Sequence, residues 1–455
     1  MAPRLIAVAL GLWGVALTAG LLTDSFPATL FARDGAQPRG EPARGGRDDG
    51  DGTPATTSAQ LPGAHGPANS DALIAMTPRH AVCDDARGGA RMTLHRLDAA
   101  ALLAVHCGER VLWLSLAPGG PRLEASLALN ARAEGAVGHA LSPAVADVDA
   151  DGRTDLIAPY MHIDAAGTPK EGGVAVLARP AGAALTPPRR IVGGYPRALV
   201  HGRFDGKGVA LGLLGPGDSR VAGEHALSLL SSEPAPKTTI TLAAGDAHSA
   251  VALDLDLDGR DDVVLGGARA SAGWWLSAGE AKITTHALGP VRETLSGDLS
   301  GDGNADALLV GDGLWILQAS KQGAFTPSAI EATQCKGDAC MRDVQLVDLD
   351  HDGKLDIVGY IHPGLRWLRA RGGLRYESRP LSRIEGDAMS ILQALVTDAD
   401  GDGLPDLLLL GHVKGSPAAV ELAVVGDIQR HEIIRLGGDP LPIETSALAP
   451  AFALR

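Results

Sequence analysis

DVDADGRTD (Asp147–Asp155), DLDLDGRDD (Asp254–Asp262), DLSGDGNAD (Asp298–Asp306), DLDHDGKLD (Asp348–Asp356) and DADGDGLPD (Asp398–Asp406) are five copies of one nine-residue pattern. Each places oxygen-bearing side chains at positions 1, 3, 5 and 9 and a glycine at position 6. That spacing suits a hard cation such as Ca2+, which takes about six to eight oxygen ligands at about 2.3–2.6 Å. Glycine at position 6 permits the left-handed turn that wraps the loop around the ion. Carboxylates packed this densely repel one another until a cation offsets them.

The expected ligands follow copy by copy. Side chains of Asp147, Asp149, Asp151 and Asp155 join the main-chain carbonyl of Arg153. Asp254, Asp256, Asp258 and Asp262 join that of Arg260. Asp298, Ser300, Asp302 and Asp306 join that of Asn304. Asp348, Asp350, Asp352 and Asp356 join that of Lys354, and Asp398, Asp400, Asp402 and Asp406 join that of Leu404. The chemical variety at position 7 fits a residue that contributes only its backbone. Ser300 replaces an aspartate, so the third copy is expected to be the weakest site. About five Ca2+ sites result, with a stiffening role, since no loop carries a reacting partner. The net charge of −14 then belongs mainly to these loops. No basic arm or aromatic-basic stripe suggests nucleic-acid binding.

Each copy is followed by an apolar run. The first aspartates stand at 147, 254, 298, 348 and 398, close to a 50-residue period with one double-length gap. A degenerate unit, Arg197–Gly215, fills that gap and keeps Asp205-Gly206 without the acidic cage. Arg91–Leu116 is a similar unit with no acidic loop, which gives seven units. Short apolar runs alternate with Gly/Pro/Asp turns, the signature of all-β structure. Four short strands per unit is the size of a propeller blade, and stacked blades leave few edges. The expected fold is an all-β, seven-bladed β-propeller with calcium-binding hairpin loops over residues 71–455. Either Ala72–Met76 or Ser446–Leu454 is expected to complete the terminal blade. Trp113, Trp275, Trp315 and Trp367 occupy matching places and read as inter-blade packing.

The loops with their apolar followers resemble FG-GAP (VCBS-type) repeats, the calcium-loop blades of integrin alpha-subunit heads and many exported bacterial proteins. The resemblance spans about residues 71–455 and is specific in five units of seven. It implies Ca2+ in hairpins between the first and second strands of a blade, and ligand-binding loops on the opposite face.

Ahead of the repeats, Leu5–Leu22 is an apolar run behind Arg4. It reads as an export signal, either cleaved or kept as an anchor, over residues 1–22. Residues 23–70, rich in Gly, Pro and Ala, read as a disordered linker. Export would place the chain in the periplasm, at the cell surface or outside the cell, with the membrane touched only through such an anchor. Four cysteines suit two disulfides in an oxidising compartment. Cys335 and Cys340 close a short loop; Cys83 with Cys107 is favoured for the rest, with other pairings open.

A second pattern concerns the far ends of the strands. His362 and His412 fall six residues after the last Asp of their loops, His162 falls seven after, and His106 aligns with them. Tyr160 and Tyr360 precede two of these histidines. His248, Arg292 and Arg342 each stand six residues before a loop's first Asp. Together they suggest a rim suited to an anionic or polar ligand. Alternatives are a transition-metal site or separate solvated residues. No nucleophile elbow, zinc-protease helix, phosphate loop or dinucleotide fingerprint occurs. The expected function is therefore a monomeric binding or scaffolding module, of cell-adhesion type, for a protein or glycan outside the cytoplasm, with no catalytic residue. The alternative is a polysaccharide lyase using His362 or Tyr360 as base. Fifteen aromatic residues weigh against the sugar-directed readings, since sugar sites favour exposed rings.

Overall fold

The computed structural model describes residues 74–453 apart from a set of loop positions, among them 149–152 and 205–209. The chain divides into Met1–Gly66 and Pro67–Arg455, and every described residue belongs to the second unit. The expected signal or anchor (1–22) and the linker (23–70) lie outside the described residues. Among those described, no helix is long and apolar enough to cross a membrane.

Strands pair into seven sheets, here lettered A to G in chain order. Their first strands are Ala90–Leu97 (A), Val137–Ala140 with Ala144–Ala146 (B), Ala198–Gly202 (C), Ala247–Leu253 (D), Val291–Gly297 (E), Arg342–Val347 (F) and Met389–Thr397 (G). From each first strand the chain turns back through antiparallel neighbours. From sheet C through D, E, F and G to A and B, the first strands of neighbouring sheets touch one another, as the innermost strands of a β-propeller do.

The structure corrects the expectation of a seven-bladed ring. Five blades, not seven, are built on the repeat, with an acidic hairpin joining the innermost strand to the second; these are sheets B, D, E, F and G. Sheets A and C lack that hairpin. The sheets are also unequal, with four to six strands each. A regular spacing measures chain length per unit, and two of the expected units, sheets A and C, satisfy it without the acidic hairpin that defines the repeat.

The second strand of these blades shows why each apolar run is continuous. Asp262–Gly267 and Asp306–Gly311 are buried along their whole length, because sheets pack on both faces. Along Asp406–Val413, Leu407 and Leu409 join the core shared with sheet F, while Leu408 and Leu410 join the core shared with sheet A. Fully burying each such leucine is worth about 1.5–3 kcal/mol. Trp113 is fully buried between sheets A and B, and Trp315 and Trp367 are half-buried against the cores of their sheets.

Neither segment expected to close the ring does so. Arg79–Cys83 pairs antiparallel with Ser416–Val425 and becomes the fourth strand of sheet G, with Leu441–Pro442 added outside it in parallel. Ile74–Thr77 instead adds in parallel to Ile433–Leu436 at the edge of sheet F, and Ala451–Ala453 adds in parallel to Arg122–Ala128 in sheet A. Both disulfides form as expected: Cys335–Cys340, and Cys83–Cys107, which ties the closing strand to sheet A. Arg79 and Glu421 make a buried ion pair across the closing strands, 2.5 Å long.

One inter-blade device links the innermost strands. Glu293 accepts the amides of Asp343 (3.2 Å) and Val344 (3.1 Å) in the next sheet. Asp343 in turn accepts the amide of Ala394 at 3.3 Å, and Gln393 accepts that of Met92 at 2.7 Å. Glu293, Asp343 and Gln393 occupy the same repeat position, so the innermost strand of E grips that of F, F grips G, and G grips A.

Candidate functional site

The acidic hairpins fold around their own aspartates. At position 1, Asp254 accepts the amides of Asp258 and Gly259, both at 2.9 Å. Asp348 does the same with Asp352 (3.0 Å) and Gly353 (2.9 Å). Position 6 is left-handed in the four fully described hairpins, with φ of 92° at Gly259, 88° at Gly303, 81° at Gly353 and 84° at Gly403. Position 4 is left-handed as well. Gly301 and Gly401 fill it comfortably, whereas Leu257 (φ 59°) and His351 (φ 57°) carry the strain of a side chain there.

Position 9 does more than face the loop. Asp356 is buried, accepting the Leu349 amide (3.2 Å) with one oxygen and the Ala370 amide (2.7 Å) with the other. Asp306 and Asp406 repeat this arrangement with Ala319 and Asp427. Burial raises the pKa of all three carboxyls. The last aspartate thus also fastens the hairpin to the third strand.

Whether the donors fit a hard cation is a matter of reach. Two oxygens bound to one ion at about 2.4 Å stand no more than about 4.8 Å apart. Asp254, Asp256 and Asp262 each offer an oxygen within 4.8 Å of the others, as do Asp348, Asp350 and Asp356, and Asp398, Asp400 and Asp406. These three hairpins fit. In the copy at Asp298–Asp306, Ser300 breaks the carboxylate set. Of the first copy, Asp147, Arg153 and Asp155 are described, and Asp155 accepts the Val148 amide at 3.1 Å; Asp149 and Asp151 lie outside the described residues. Position 5 folds inward too, with Asp258, Asp302, Asp352 and Asp402 each accepting the position-7 amide of Arg260, Asn304, Lys354 and Leu404.

At the other end of the strands, register sets the second group of residues far from the hairpins. His106 pairs with Arg91, His162 with Gly138, Tyr160 with Ala140, Tyr360 with Arg342 and His412 with Ser390. Two local groups are described among them. Tyr160 is fully buried and its ring lies 5.3 Å from that of buried His162; Arg190 donates to its hydroxyl at 3.0 and 3.1 Å. Tyr360, also buried, meets Nδ1 of exposed His362 at 3.1 Å, and the Arg342 guanidinium lies 4.7 Å from its ring centre. Burial raises the Tyr360 pKa. His106 is buried, and burial together with the Arg91 charge lowers its pKa to about 4. Arg292 donates to the Gly311 carbonyl at 2.5 Å, and exposed Arg342 donates to the Ile391 carbonyl at 3.3 Å in the next blade. His412 is half-buried, and His248 stands at a bulge in its innermost strand.

Sequence reasoning passed over Arg190, Arg91 and the Glu293–Asp343–Gln393 series. The last was detectable, since all three stand five residues before the first aspartate of a hairpin.

Residues 298–359 match the model of an FG-GAP-like repeat. No curated protein matches the sequence. Among solved structures, an Agrocybe aegerita lectin described as recognising non-reducing terminal N-acetylglucosamine is 15% identical over 78% of this chain and 81% of its own, with a TM-score of 0.34. The Photorhabdus luminescens Tc holotoxin pore is 14% identical over 75% of this chain and 17% of its own, with a TM-score of 0.33. BBS1N, in complex with ARL6DN, is 13% identical over 74% and 78%, with a TM-score of 0.35. Likeness this slight carries no argument about function.

Proposed function

We propose that this β-propeller with an FG-GAP-like repeat is an exported, calcium-stabilised module that binds a protein or glycan at the blade ends opposite its acidic hairpins. The observation that carries the calcium reading is the convergence of three carboxylates within 4.8 Å in each of three hairpins. In this reading the side chains of positions 1, 3 and 9 hold the ion, and the ion supplies the charge that lets the hairpin keep its carboxylates together. Two disulfides support residence in an oxidising compartment.

The binding end is supported by exposed Arg342 and His362, braced on the buried Tyr360. A guanidinium beside an imidazole suits carboxylate, sulfate or polar sugar groups. The lyase alternative is disfavoured at Tyr360. Its phenol is 2% exposed and burial raises its pKa, the reverse of what a base requires.

Purified protein screened against glycans and acidic polysaccharides tests this reading, with absorbance followed for unsaturated products. Binding that is lost in Arg342→Ala and His362→Ala, with unchanged melting, is expected. Binding insensitive to both substitutions would place the contact elsewhere, and unsaturated products would favour the enzyme.

A further inference from the structure

We infer that Arg369 is a built-in competitor for the cation site of the hairpin Asp348–Asp356, making this site weaker than the serine-bearing one at Asp298–Asp306. The inference deepens the calcium reading and rests on it.

Arg369 lies on the third strand of sheet F, Gly364–Ala370, and its Nε forms an ion pair with Asp350 Oδ2, the position-3 carboxylate. The two side chains are 27% and 16% exposed, so water screens the pair only in part. Lys354 adds a second positive charge, its Nζ 2.8 Å from Asp352 Oδ2 at position 5. Arg369 has little choice of partner. Glu377 stands directly opposite it in register, but that carboxylate already holds both Arg371 and Arg379. The Trp367 ring lies 5.9 Å from the Arg369 guanidinium and limits its freedom on one side.

Sheets E and G lack this feature. Amides of Ala319, Ala370 and Asp427 bond to the position-9 aspartates of their hairpins, which makes these three residues equivalent. The residues preceding them are Gln318, Arg369 and Gly426, so only sheet F of the three sets a cation there. A divalent ion entering this hairpin meets a carboxylate already neutralised, and must either displace the guanidinium or bind beside it against their mutual repulsion. Ser300 merely removes one charge from its loop; Arg369 and Lys354 add two of the opposite sign.

The test is calorimetric Ca2+ titration of the full chain, comparing wild type with Arg369→Met and Arg369→Gln. Melting of each in excess chelator establishes that the fold is kept. The weakest binding step is expected to tighten by about tenfold or more in both variants. Asp350→Asn added to Arg369→Met should abolish the gain, which assigns the step to this hairpin. An unchanged weakest step overturns the inference. A weakened step also overturns it, and shows Arg369 orienting Asp350 as a supporting contact instead. Wild type that binds no Ca2+ at all removes the calcium reading and this inference together, whereas Ca2+ binding that Asp398→Asn reduces, with Arg369 variants unchanged, removes only the inference.

Discussion

Glu293 reaches from one innermost strand to the next and holds the amides of both Asp343 and Val344, at 3.2 and 3.1 Å. One carboxylate therefore satisfies two donors at a bulge, where Asp343 is left-handed (φ 52°) and the ladder with the second strand breaks. Truncation to alanine leaves both amides without this partner, and each buried unsatisfied group costs about 1–3 kcal/mol. Glu293→Ala should lower stability by about 2 kcal/mol or more, and Glu293→Gln, which keeps one acceptor, by less. Urea denaturation of the two variants checks the order.

Asp343 and the buried histidines give the protein opposing responses to pH. Burial and the Glu293 charge push the Asp343 carboxyl up to about 7, against the Arg342 and Arg91 charges and the Ala394 amide. Its folded pKa exceeds its unfolded value near 4, so stability from this group is full below pH 4 and is lost as pH rises toward 7. Burial pulls His95 and His106 down to about 4. Their contribution is full above about 6.5 and is lost as pH falls toward 4. Asp343→Asn should gain on the order of 1–2 kcal/mol over wild type at pH 8 and almost nothing at pH 4.5. Denaturation at both pH values would expose the reverse sign, if it holds.

Calcium removal should loosen the blades that carry complete carboxylate sets. Saturation at a hundred times the dissociation constant stabilises by about 2.7 kcal/mol per site. Chelator should therefore lower the melting temperature by several degrees or more, with full recovery on adding Ca2+. Asp398→Asn and Asp254→Asn should each shrink the shift. A melt indifferent to chelator would refute the expectation.

Left-handed backbone can be probed without steric interference. A Cβ at Gly353 or Gly403 would meet nothing within 4 Å, so Gly403→Ala tests conformation alone and should cost about 1 kcal/mol. The converse change, Leu257→Gly, relieves strain but frees the unfolded chain, and should be neutral or gain up to about 1 kcal/mol. Loss of stability in Leu257→Gly would mean that the leucine packs usefully in its loop.

Ring closure depends on a charge pair that is buried on both sides. Arg79 and Glu421 side chains are 10% and 3% exposed. Glu421→Gln removes the charge that offsets the buried guanidinium and should cost about 3–5 kcal/mol, whereas Arg79→Met with Glu421→Leu should cost much less. Thermal melts of the single and double variants decide between them.

The acidic hairpins and the apolar strands after them were legible because their geometry depends on neighbours in sequence. Gly403 takes its left-handed turn within the nine-residue pattern, and the unbroken apolar run Leu407 to Leu410 marks a strand covered on both faces. Blade number was less legible, because Arg197–Gly215 and Arg91–Leu116 keep the spacing without the hairpin that defines the repeat. Closure was misassigned for a related reason: Ile74–Thr77 and Arg79–Cys83 are both short strands, and only distant partners decide which one enters sheet G. The far-end residues were placed by register, yet Tyr160 and Tyr360 turned inward to brace Arg190 and His362. Arg369 escaped notice because the carboxylate it answers lies nineteen positions earlier, a relation no local spacing rule contains.

Arg79 meets Glu421 across 342 positions of chain. The closing strand is thus among the first of the propeller to be synthesised, and the edge awaiting it among the last. A nascent or truncated chain carries two open sheet edges until Ser416–Val425 emerges, and such edges invite pairing between molecules. Moving Arg79–Cys83 to follow Val425 through a short turn would convert that remote encounter into a hairpin, shorten the search and speed folding.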